Sequence, residues 1–383
     1  MALPLDDLRR EAVLDPTGGL ADLETGVLRM VSGQAFRDDP GRLLRAVRFA
    51  EELLLHMDAA TDAAIVSNAA LLCQVSPERV RDELNRMLAL PRFGRCVREM
   101  DRLGLLTLVL PELEGLRGLA QPLPHVWDGL EHSIRTVEMA ESLTQALTYG
   151  AAAEPWSDFA AGLAPLRDAV AVYLNYSVAP EQSRLTLLKL AALLHDIGKP
   201  ATRTEERGRI RFIDHPQEGA RMAGEALTRL RYSAAAVRMA ATLVREHMRL
   251  LSLLSIGEAS NRALYRFHQS VGDASAAAGM LFLADLAATR SLDDEPRWTV
   301  AQAIVTRVLQ ACLAEPQVVA PVSLVDGRDL IESLGVDEGP VVGYLIHAVR
   351  EEQAAGSVRT REEALAFASR ALKRWKRVRN EDR

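Results

Sequence analysis

Hydrophobic positions recur at helical spacing along most of the chain, and the clearest stretch runs from Leu185 to Pro200, LTLLKLAALLHDIGKP. Its apolar positions keep the i, i+3, i+4, i+7 spacing of a buried helix face: Leu187, Leu188, Leu190, Ala191 and Leu194. His195 and Asp196 follow directly. Gly198 suits a left-handed position after the helix, and Pro200 cannot continue it. The pattern predicts a core helix with a histidine and an aspartate on its last turn.

A second helix is predicted over residues 36–56, FRDDPGRLLRAVRFAEELLLH. Asp39 is expected to be its N-cap and Pro40 its first helical residue. The helical period then separates a buried stripe from an arginine-bearing face. The buried stripe is predicted at Leu43, Val47, Ala50 and Leu54. The arginines that lie off this stripe are Arg42, Arg45 and Arg48.

The remaining sequence also favours helix over sheet. Aromatic residues make up only 5% of the 383 residues, while alanine and leucine are abundant, and this balance favours helix formation. Short helices are predicted over residues 57–120, and a small hairpin or an extended loop is predicted around Gly208. We therefore predict an all-α fold built from several helical modules, which suits a chain longer than one average domain.

Composition and charge narrow the class of protein. Hydrophobic residues make up 48% and charged residues 26% of the chain, as is typical of a soluble globular protein. No segment reads as a leader peptide and no apolar run reaches transmembrane length, so a cytoplasmic protein without a membrane partner is predicted. The net charge of −6 argues against nucleic-acid binding over the whole surface, but it leaves room for local basic surfaces.

Histidine and aspartate recur at other predicted helix ends and faces. His132 lies on a helix, His215 opens one, His247 ends one, and Asp285 lies in the apolar run MLFLADLAATR. A carboxylate buried there needs a metal or a partner such as Arg290. Imidazole and carboxylate groups suit Mn, Fe, Co, Ni or Zn. The candidate metal ligands are His132, His195, Asp196, His215, His247 and Asp285. A mononuclear site needs only His132, His195, Asp196 and Asp285, and satisfied structural histidines are the alternative.

The order His…His-Asp…His…His…Asp, together with the string LLHDIGKP, resembles the HD metal-dependent phosphohydrolase superfamily. This resemblance implies a divalent metal, with Mg, Mn, Ni and Co as candidates, and catalytic roles for His195 and Asp196. Lys199 puts positive charge beside the predicted metal, which suits catalysis on a phosphate-bearing substrate, and a solvated loop charge is the alternative. The resemblance also implies 2′,3′-cyclic nucleotides, nucleoside monophosphates or tRNA-end phosphates as substrates. His125, in the Pro-rich segment before His132, is a candidate for contact with the metal ligands or the substrate.

A second resemblance lies further toward the N-terminus. DPTGGLADLETGVLRMV followed by FRDDPGRLLRAVRFA resembles the class II tRNA nucleotidyltransferase and poly(A) polymerase family, where the catalytic head joins the neck. Asp38, Asp39 and Arg42 match the family's acidic-Asp-x-x-Arg templating motif. The resemblance implies that the aspartate and arginine bind the Watson–Crick edge of CTP or ATP, which suits their acceptor and donor groups. Arg79 and Glu83, in VSPERVRDELNRML, match the next neck motif. A salt-bridged surface is the alternative.

The family resemblance divides the chain into four parts. They are a head remnant (1–35), a neck (36–120), an HD body (121–294, with an insertion at 144–183) and a helical tail (295–383). The resemblance also implies contact with the 3′ end of tRNA or another RNA. The candidate RNA-binding residues are Arg45, Arg48, Lys373, Arg374 and Lys376.

The family's head carries two metal-binding aspartates after a Gly-Ser turn, and no such pattern precedes Asp15. The Asp6–Asp7 pair lacks that context. Nucleotidyl transfer is therefore expected only if a head is supplied, either by a separately encoded chain or by a longer form of this one. Three hypotheses remain open from the sequence: a metal-dependent phosphohydrolase, the RNA- and nucleotide-binding part of a nucleotidyltransferase, and a non-catalytic RNA-binding remnant.

Overall fold

The computed structural model describes residues 14–150, 154–289 and 295–381. In this part of the chain nearly all regular structure is helical, and the strands form three small two-stranded sheets. The predicted all-α fold is confirmed. The first thirteen residues of the predicted head remnant, the Asp6–Asp7 pair within them, and Arg290, the proposed alternative partner of Asp285, lie outside the described residues.

The N-terminal third contains short helices and one pair of parallel strands. The helices are α1 (Gly19–Glu24), α2 (Ala35–Asp38), α3 (Arg42–Glu52), α4 (Ala59–Asn68), α5 (Pro77–Ala89), α6 (Phe93–Arg102) and α7 (Leu106–Val109). Strand β1 (Val27–Leu28) pairs in parallel with β2 (His56–Met57). Asp15 accepts hydrogen bonds from the backbone amides of Gly19 and Leu20, so the carboxylate holds the turn that leads into α1.

The central part forms a larger helical body. Its helices are α8 (Gly129–Tyr149), α9 (Ser157–Gly162), α10 (Arg167–Asn175), α11 (Arg184–Leu194), α12 (Lys199–Thr202), α13 (His215–Arg229), α14 (Ala234–Glu246), α15 (Leu251–Ile256), α16 (Asn261–Val271), α17 (Ser275–Ala288), α18 (Glu295–Leu313) and α19 (Pro316–Val319). Two antiparallel pairs decorate it: β3 (Ser177–Ala179) with β4 (Gln182–Ser183), and β5 (Arg203–Glu206) with β6 (Arg209–Phe212). The second pair confirms the predicted hairpin.

Two separate hydrophobic cores organise these elements. The larger core runs from Phe36 to Val319 and is shared by neck and body. The smaller core, from Val325 to Leu372, belongs to α20 (Gly327–Leu334), α21 (Pro340–Ala354) and α22 (Arg361–Glu381). Helix α18 begins at the boundary predicted between residues 294 and 295, but it packs in the core of the body and not in that of the tail. The domain limits themselves stay a prediction.

Helix α17 lies at the centre of the body, where it packs against α8, α11 and α18. Residues 261–288 are long and apolar enough to cross a membrane by length and composition alone, contrary to the expectation that no such run exists. The reason is that α17 is buried on nearly every side, and 83% of the most apolar window lies inside the protein. The cellular location stays a prediction.

The helix predicted over residues 36–56 is divided in the structure. Asp39 is extended and follows α2, and α3 begins only at Arg42, with Gly41 rather than Asp39 as its N-cap. Because α3 ends at Glu52, Leu54 falls beyond it in a left-handed conformation and is exposed instead of completing the buried stripe. The other positions of the stripe are buried or half-buried.

The predicted insertion contributes to the core instead of only covering the surface. Helix α8 continues without a break to Tyr149, so the segment starts inside a helix. Trp156, within it, is completely buried and contacts Trp298 of α18, with ring centroids 5.5 Å apart. The segment thus joins the first helix of the body to α18.

Candidate metal centre and nucleotide pocket

Helices α8, α11, α13, α14 and α17 bring all six predicted metal ligands together. His132 lies on the first turns of α8, His195 caps the C-terminus of α11, and Asp196 follows it. His215 begins α13 and His247 caps α14. Asp285 projects from α17. Two ligand groups share Asp196: His132 with His195 and Asp196, and His215 with His247 and Asp196.

The distances define a compact centre around Asp196. Its Oδ2 lies 3.2 Å from His195 Nε2 and 3.6 Å from His132 Nε2. Its Oδ1 lies 3.4 Å from His215 Nε2 and 3.9 Å from His247 Nε2. On the first side, Asp285 Oδ1 closes the centre at 3.0 Å from His132 Nε2. The two oxygens of one carboxylate therefore face two different histidine pairs.

The orientation of three imidazoles is fixed by backbone carbonyls, which can only accept hydrogen bonds. Nδ1 of His195 donates to Ala192 O at 2.8 Å. His215 and His247 make the same contact with the carbonyls of Phe212 and Val244, at 2.7 and 2.6 Å. In the neutral ring the proton is then on Nδ1 and the lone pair on Nε2 points into the centre, as in metal-binding histidines. His132 lacks this anchor, because its Nδ1 has no hydrogen-bond partner among the described residues.

Two pairs of ring nitrogens face each other at short range. His132 Nε2 lies 3.3 Å from His195 Nε2, and His215 Nε2 lies 3.4 Å from His247 Nε2. Two lone pairs at this distance repel each other unless a cation or a proton lies between them. The donor set therefore fits a divalent metal, since Asp196 Oδ2 is also buried without a hydrogen bond of regular geometry.

The charges of the centre favour an added positive charge. Burial opposes ionisation of Asp196, but His195 and Lys199 outweigh it and hold the pKa of its carboxyl well below its usual range. Burial would lower the pKa of His195, yet Asp196 raises it overall. On the other side, burial and the neighbouring His195 lower the pKa of His247 to about 3. Its imidazole is thus neutral near pH 7, which is the metal-binding form.

Lys199 forms one edge of the centre. Its Nζ lies 2.5 Å from Asp196 Oδ2 and donates to Gln121 Oε1 at 2.5 Å. His125 stands edge-on to His132, with ring centroids 4.7 Å apart. Burial, and to a smaller extent the positive charge of Lys199, lowers the pKa of His125 to about 4. Sequence reasoning missed Gln121, because nothing in its local sequence marks it; only the fold places it beside Lys199.

Gly198 has a different role from the one predicted. Its φ of −78° is right-handed, so it does not end α11 in a left-handed conformation. Instead, an added Cβ at this position would lie 2.3 Å from His215 O and 2.5 Å from Gly219 N. The absence of a side chain therefore lets the turn after Asp196 pack directly on the first turns of α13, which brings His215 to the centre.

The predicted nucleotide-binding residues gather where α3 meets α5. Arg79 Nη2 contacts Asp39 Oδ1 at 2.7 Å, and this contact lowers the pKa of the Asp39 carboxyl despite partial desolvation. Glu83 is buried and pairs with Arg48 at 2.9 Å and Arg86 at 2.9 Å. A cavity of about 200 Å³ lies between these helices. It is lined by Gly41, Leu44, Arg45, Val75, Arg79, Asp82, Glu83 and Arg86.

Asp38, Asp39 and Arg42 are not among the residues that line this cavity. Asp38 is exposed, and Arg42 donates to the carbonyl of Ala35 at 3.2 Å, across the break between α2 and α3. Arg42 also approaches Asp39 at 3.9 Å. Asp39 and Arg42 therefore lie next to Arg79 of the cavity lining, at the point where the helix predicted to be continuous is interrupted.

The predicted RNA-binding residues have very different surroundings. Arg48 is buried and contacts both Glu83 and Glu52, so its guanidinium is not presented to an RNA. Arg45 is partly exposed beside Glu83, 3.5 Å away. Lys373, Arg374 and Lys376 are exposed on α22. Of the two regions, the tail therefore presents more accessible charge.

Comparison with known families gives two matching profiles. The family described as a probable RNA and SrmB-binding site of polymerase A matches residues 55–116. The family described as HD domain matches residues 129–286. The first match covers the helices from α4 to the end of α7, and the second begins with the helix of His132 and ends just after Asp285.

Relatives of known description are similar over nearly the whole chain. An A-adding tRNA nucleotidyltransferase of Deinococcus radiodurans is 35% identical over 376 residues, covering 96% of this chain and 76% of the relative. A CC-adding tRNA nucleotidyltransferase of Thermus thermophilus is 33% identical, covering 93% and 72%. A CC-adding enzyme of Geobacter sulfurreducens is 30% identical, covering 94% and 69%.

Solved structures with the same fold include two CCA-adding enzymes. One is from Thermotoga maritima, in complex with tRNA, with a TM-score of 0.55, 17% identity, and coverage of 94% of this chain and 67% of that one. The other is from Bacillus stearothermophilus, in complex with CTP, with a TM-score of 0.54, 20% identity, and coverage of 97% and 71%. At this identity the likeness establishes the fold alone.

Proposed function

Because this chain belongs to the tRNA nucleotidyltransferase family and contains an HD domain, we propose that it acts on RNA ends through two separate sites. The body holds a metal-dependent phosphohydrolase site for 2′,3′-cyclic nucleotides or terminal phosphates. The neck cavity binds CTP or ATP. The observation that carries the first proposal is the convergence of His195, His215 and His247 Nε2 on the carboxylate of Asp196.

The residues of the body would have two roles in hydrolysis, metal binding and contact with the substrate phosphate. His132, His195, Asp196, His215, His247 and Asp285 would hold the metal. A divalent ion bound there supplies Lewis acidity to a phosphoryl group and makes water more acidic. Lys199, fixed by Gln121, offers an ammonium group to a substrate phosphate. The roles of His195, Asp196 and Lys199 in catalysis, and the choice of Mg, Mn, Ni or Co, are proposals.

Hydrolysis tests this site directly. The full chain is assayed on 2′,3′-cAMP and p-nitrophenyl phosphate with added Ni²⁺, Mn²⁺ or Co²⁺, beside Asp196→Ala. The matched control is Asp337→Ala, which removes an exposed carboxylate of the tail. We expect turnover in parent and control and a loss of more than about 100-fold in Asp196→Ala, because even residues behind metal ligands contribute 10- to 100-fold. Equal turnover in all three, or none in the parent, would refute the proposal.

The nucleotide site is supported by a different observation. Arg79, which lines the cavity between α3 and α5, contacts Asp39 at 2.7 Å, and Asp39 lies 3.9 Å from Arg42. A carboxylate can accept a hydrogen bond from an exocyclic amine, and a guanidinium can donate to ring nitrogens or carbonyls, so together they match the edges of cytosine and adenine. A relative with this fold was solved with CTP, which adds support.

Calorimetric titration with CTP and ATP tests the nucleotide site. Asp39→Ala and Arg42→Ala should each weaken binding by about tenfold, the worth of one charged hydrogen bond. Arg37→Ala is the control, because Arg37 lies on α2 and bonds Asn68 instead. If Asp39→Ala and Arg42→Ala bind like the parent, the neck cavity is not the nucleotide site. Binding of the tRNA 3′ end by Arg45 and by the tail residues Lys373, Arg374 and Lys376, and completion by a separately encoded head, stay predictions.

A further inference from the structure

The joint between neck and body contains a buried ion pair that neither proposed site uses. Lys189 lies on α11, the helix that ends at His195, and Glu141 lies on α8, the helix of His132. Lys189 Nζ is 3.0 Å from Glu141 Oε1, and the two side chains are only 3% and 6% exposed. Burying two charges is costly, so their surroundings must compensate for the lost water.

The compensation comes from the ends of two neck helices. Glu141 accepts hydrogen bonds from the amides of Phe93 and Gly94, at 2.5 and 3.1 Å, in the first turn of α6. Lys189 donates to the carbonyls of Leu88 and Leu90, at 3.2 and 2.6 Å, at the end of α5. A helix N-terminus carries partial positive charge and a C-terminus partial negative charge. Each buried charge therefore faces the helix end of opposite sign.

Two further contacts hold α8 against the turn at residues 90–92 that joins α5 to α6, here called the elbow. Gln145 donates to the carbonyl of Pro91 at 2.9 Å. Gly94 permits close approach, since an added Cβ would lie 2.6 Å from Cγ of Glu138. All three donors of the Lys189 ammonium are already used by two carbonyls and Glu141. Both residues also line a cavity of about 540 Å³, but the ammonium group has no donor left for a ligand, so the pair acts as a clamp between the helices.

Helix α5, whose end is clamped, also carries Arg79 and Glu83 of the neck cavity. We propose that Lys189 and Glu141 are positioning residues through which the HD body fixes the orientation of α5 and thereby shapes the nucleotide pocket. This inference rests on the proposed binding of CTP or ATP in that pocket. The HD body then has a second role, as the scaffold that presents the pocket, whatever its own hydrolytic activity.

Two double variants of the full chain separate this clamp from an ordinary ion pair. Lys189→Glu/Glu141→Lys keeps the pair but places each charge at a helix end of the same sign. Lys189→Met/Glu141→Gln removes both charges at similar volume, so it folds even where the swapped pair does not. An ordinary ion pair predicts CTP affinity near the parent's for the swap. The clamp predicts that CTP affinity is highest in the parent, lower in the neutral variant and lowest in the swap. The swap should bind CTP more weakly than the parent by about fivefold or more.

Hydrogen exchange of residues 77–94 and Ni²⁺ binding by the body provide independent readouts. We expect amide protection in the elbow to fall in the same order, while Ni²⁺ affinity stays within twofold of the parent's. Equal protection in parent and swap, or equal CTP affinity in all three proteins, would overturn the clamp. Absence of CTP binding by the parent would instead overturn the nucleotide proposal, and exchange would still decide whether the elbow is clamped.

Discussion

The proposed metal centre and the proposed nucleotide pocket are built in opposite ways. The centre consists of buried groups: His132, His195 and His247 are at most 1% exposed, and backbone carbonyls fix the last two rings. The pocket is lined by half-exposed arginines, and Arg79 has 51% of its side chain exposed while it contacts Asp39. The centre is preorganised by the folding of the body, whereas the pocket is a network of ion pairs at the surface.

The two sites therefore place different demands on a ligand. A metal entering the centre meets oriented lone pairs and needs little rearrangement. A nucleotide entering the pocket competes with the protein's own carboxylates, because Asp39 already accepts from Arg79. Substitutions at the centre should therefore disturb packing as well as binding, while those at the pocket should affect binding with little loss of stability. Four substitutions test this contrast.

Glu83 is the buried charged residue of the pocket lining, and its substitution should have the largest effect on stability, so it is the exception to the contrast. Glu83→Ala removes the carboxylate that neutralises Arg48, leaving a buried guanidinium that keeps only Glu52. Breaking a buried ion pair costs about 3–5 kcal/mol of unfolding free energy, and the remaining contact with Glu52 places this variant at the lower end of that range. Urea denaturation of Glu83→Ala beside Arg48→Met/Glu83→Leu measures it. If the double variant is as unstable as the single one, the unpaired charge is not the cause.

The next largest effect on stability is expected at Gly198, in the turn that follows Asp196. Gly198→Ala places a methyl group against the backbone of His215 and Gly219, so it should cost about 1–3 kcal/mol and weaken metal binding by displacing His215. Gly162→Ala is the control, because an added Cβ there meets nothing within 4 Å. Equal stability and Ni²⁺ affinity in both variants would show that the turn after Asp196 adapts.

The pH dependence of the metal-free protein tests the burial of the second histidine pair. The folded-state pKa of His247 is lowered from 6.5 to about 3, so below pH 6.5 the unfolded chain binds a proton that the folded chain excludes. The free energy of unfolding should therefore decrease as the pH is lowered, and this residue should account for about 2 kcal/mol of the decrease between pH 7 and pH 5. Urea denaturation of His247→Gln should lose this part of the slope. An unchanged slope would mean that His247 is not held neutral.

The smallest effect on stability is expected at the rim of the pocket. Arg79→Ala breaks an exposed ion pair with Asp39, which is worth about 0–1 kcal/mol. Nucleotide affinity should nevertheless fall, and Ni²⁺ affinity should not change. Thermal unfolding and CTP titration of the same preparation measure both quantities. A large loss of stability with unchanged CTP binding would show that Arg79 serves the fold and not the nucleotide site, contrary to the contrast drawn above.

Much of the proposed metal centre could be predicted from sequence, because its candidate ligands lie at recognisable helix ends. The helix before His195 and the opening of α13 at His215 are local features, and both are confirmed. The role of Gly198 was missed because it depends on a helix that follows a hairpin. Leu54 was wrongly placed in the core, since the end of α3 after Glu52 is set by the strand that follows.

The joint between neck and body was beyond sequence reasoning for the same physical reason. Lys189 stands out as a charge within an apolar helix, but its acceptors, Leu88 O and Leu90 O, belong to a distant segment. Gln121 has no local signal at all. Contacts between helices that are far apart in sequence depend on packing angles, which the hydrophobic period does not specify.

Metal stoichiometry tests the central claim that the body holds a preassembled metal centre. The purified full chain and Asp196→Ala are each titrated with Ni²⁺ by calorimetry at pH 7. The structure predicts saturable binding by the parent and loss of that binding in Asp196→Ala, because Asp196 is the one carboxylate common to both ligand groups among the described residues. Identical binding by the two proteins, or no saturable binding by the parent, would contradict the claim.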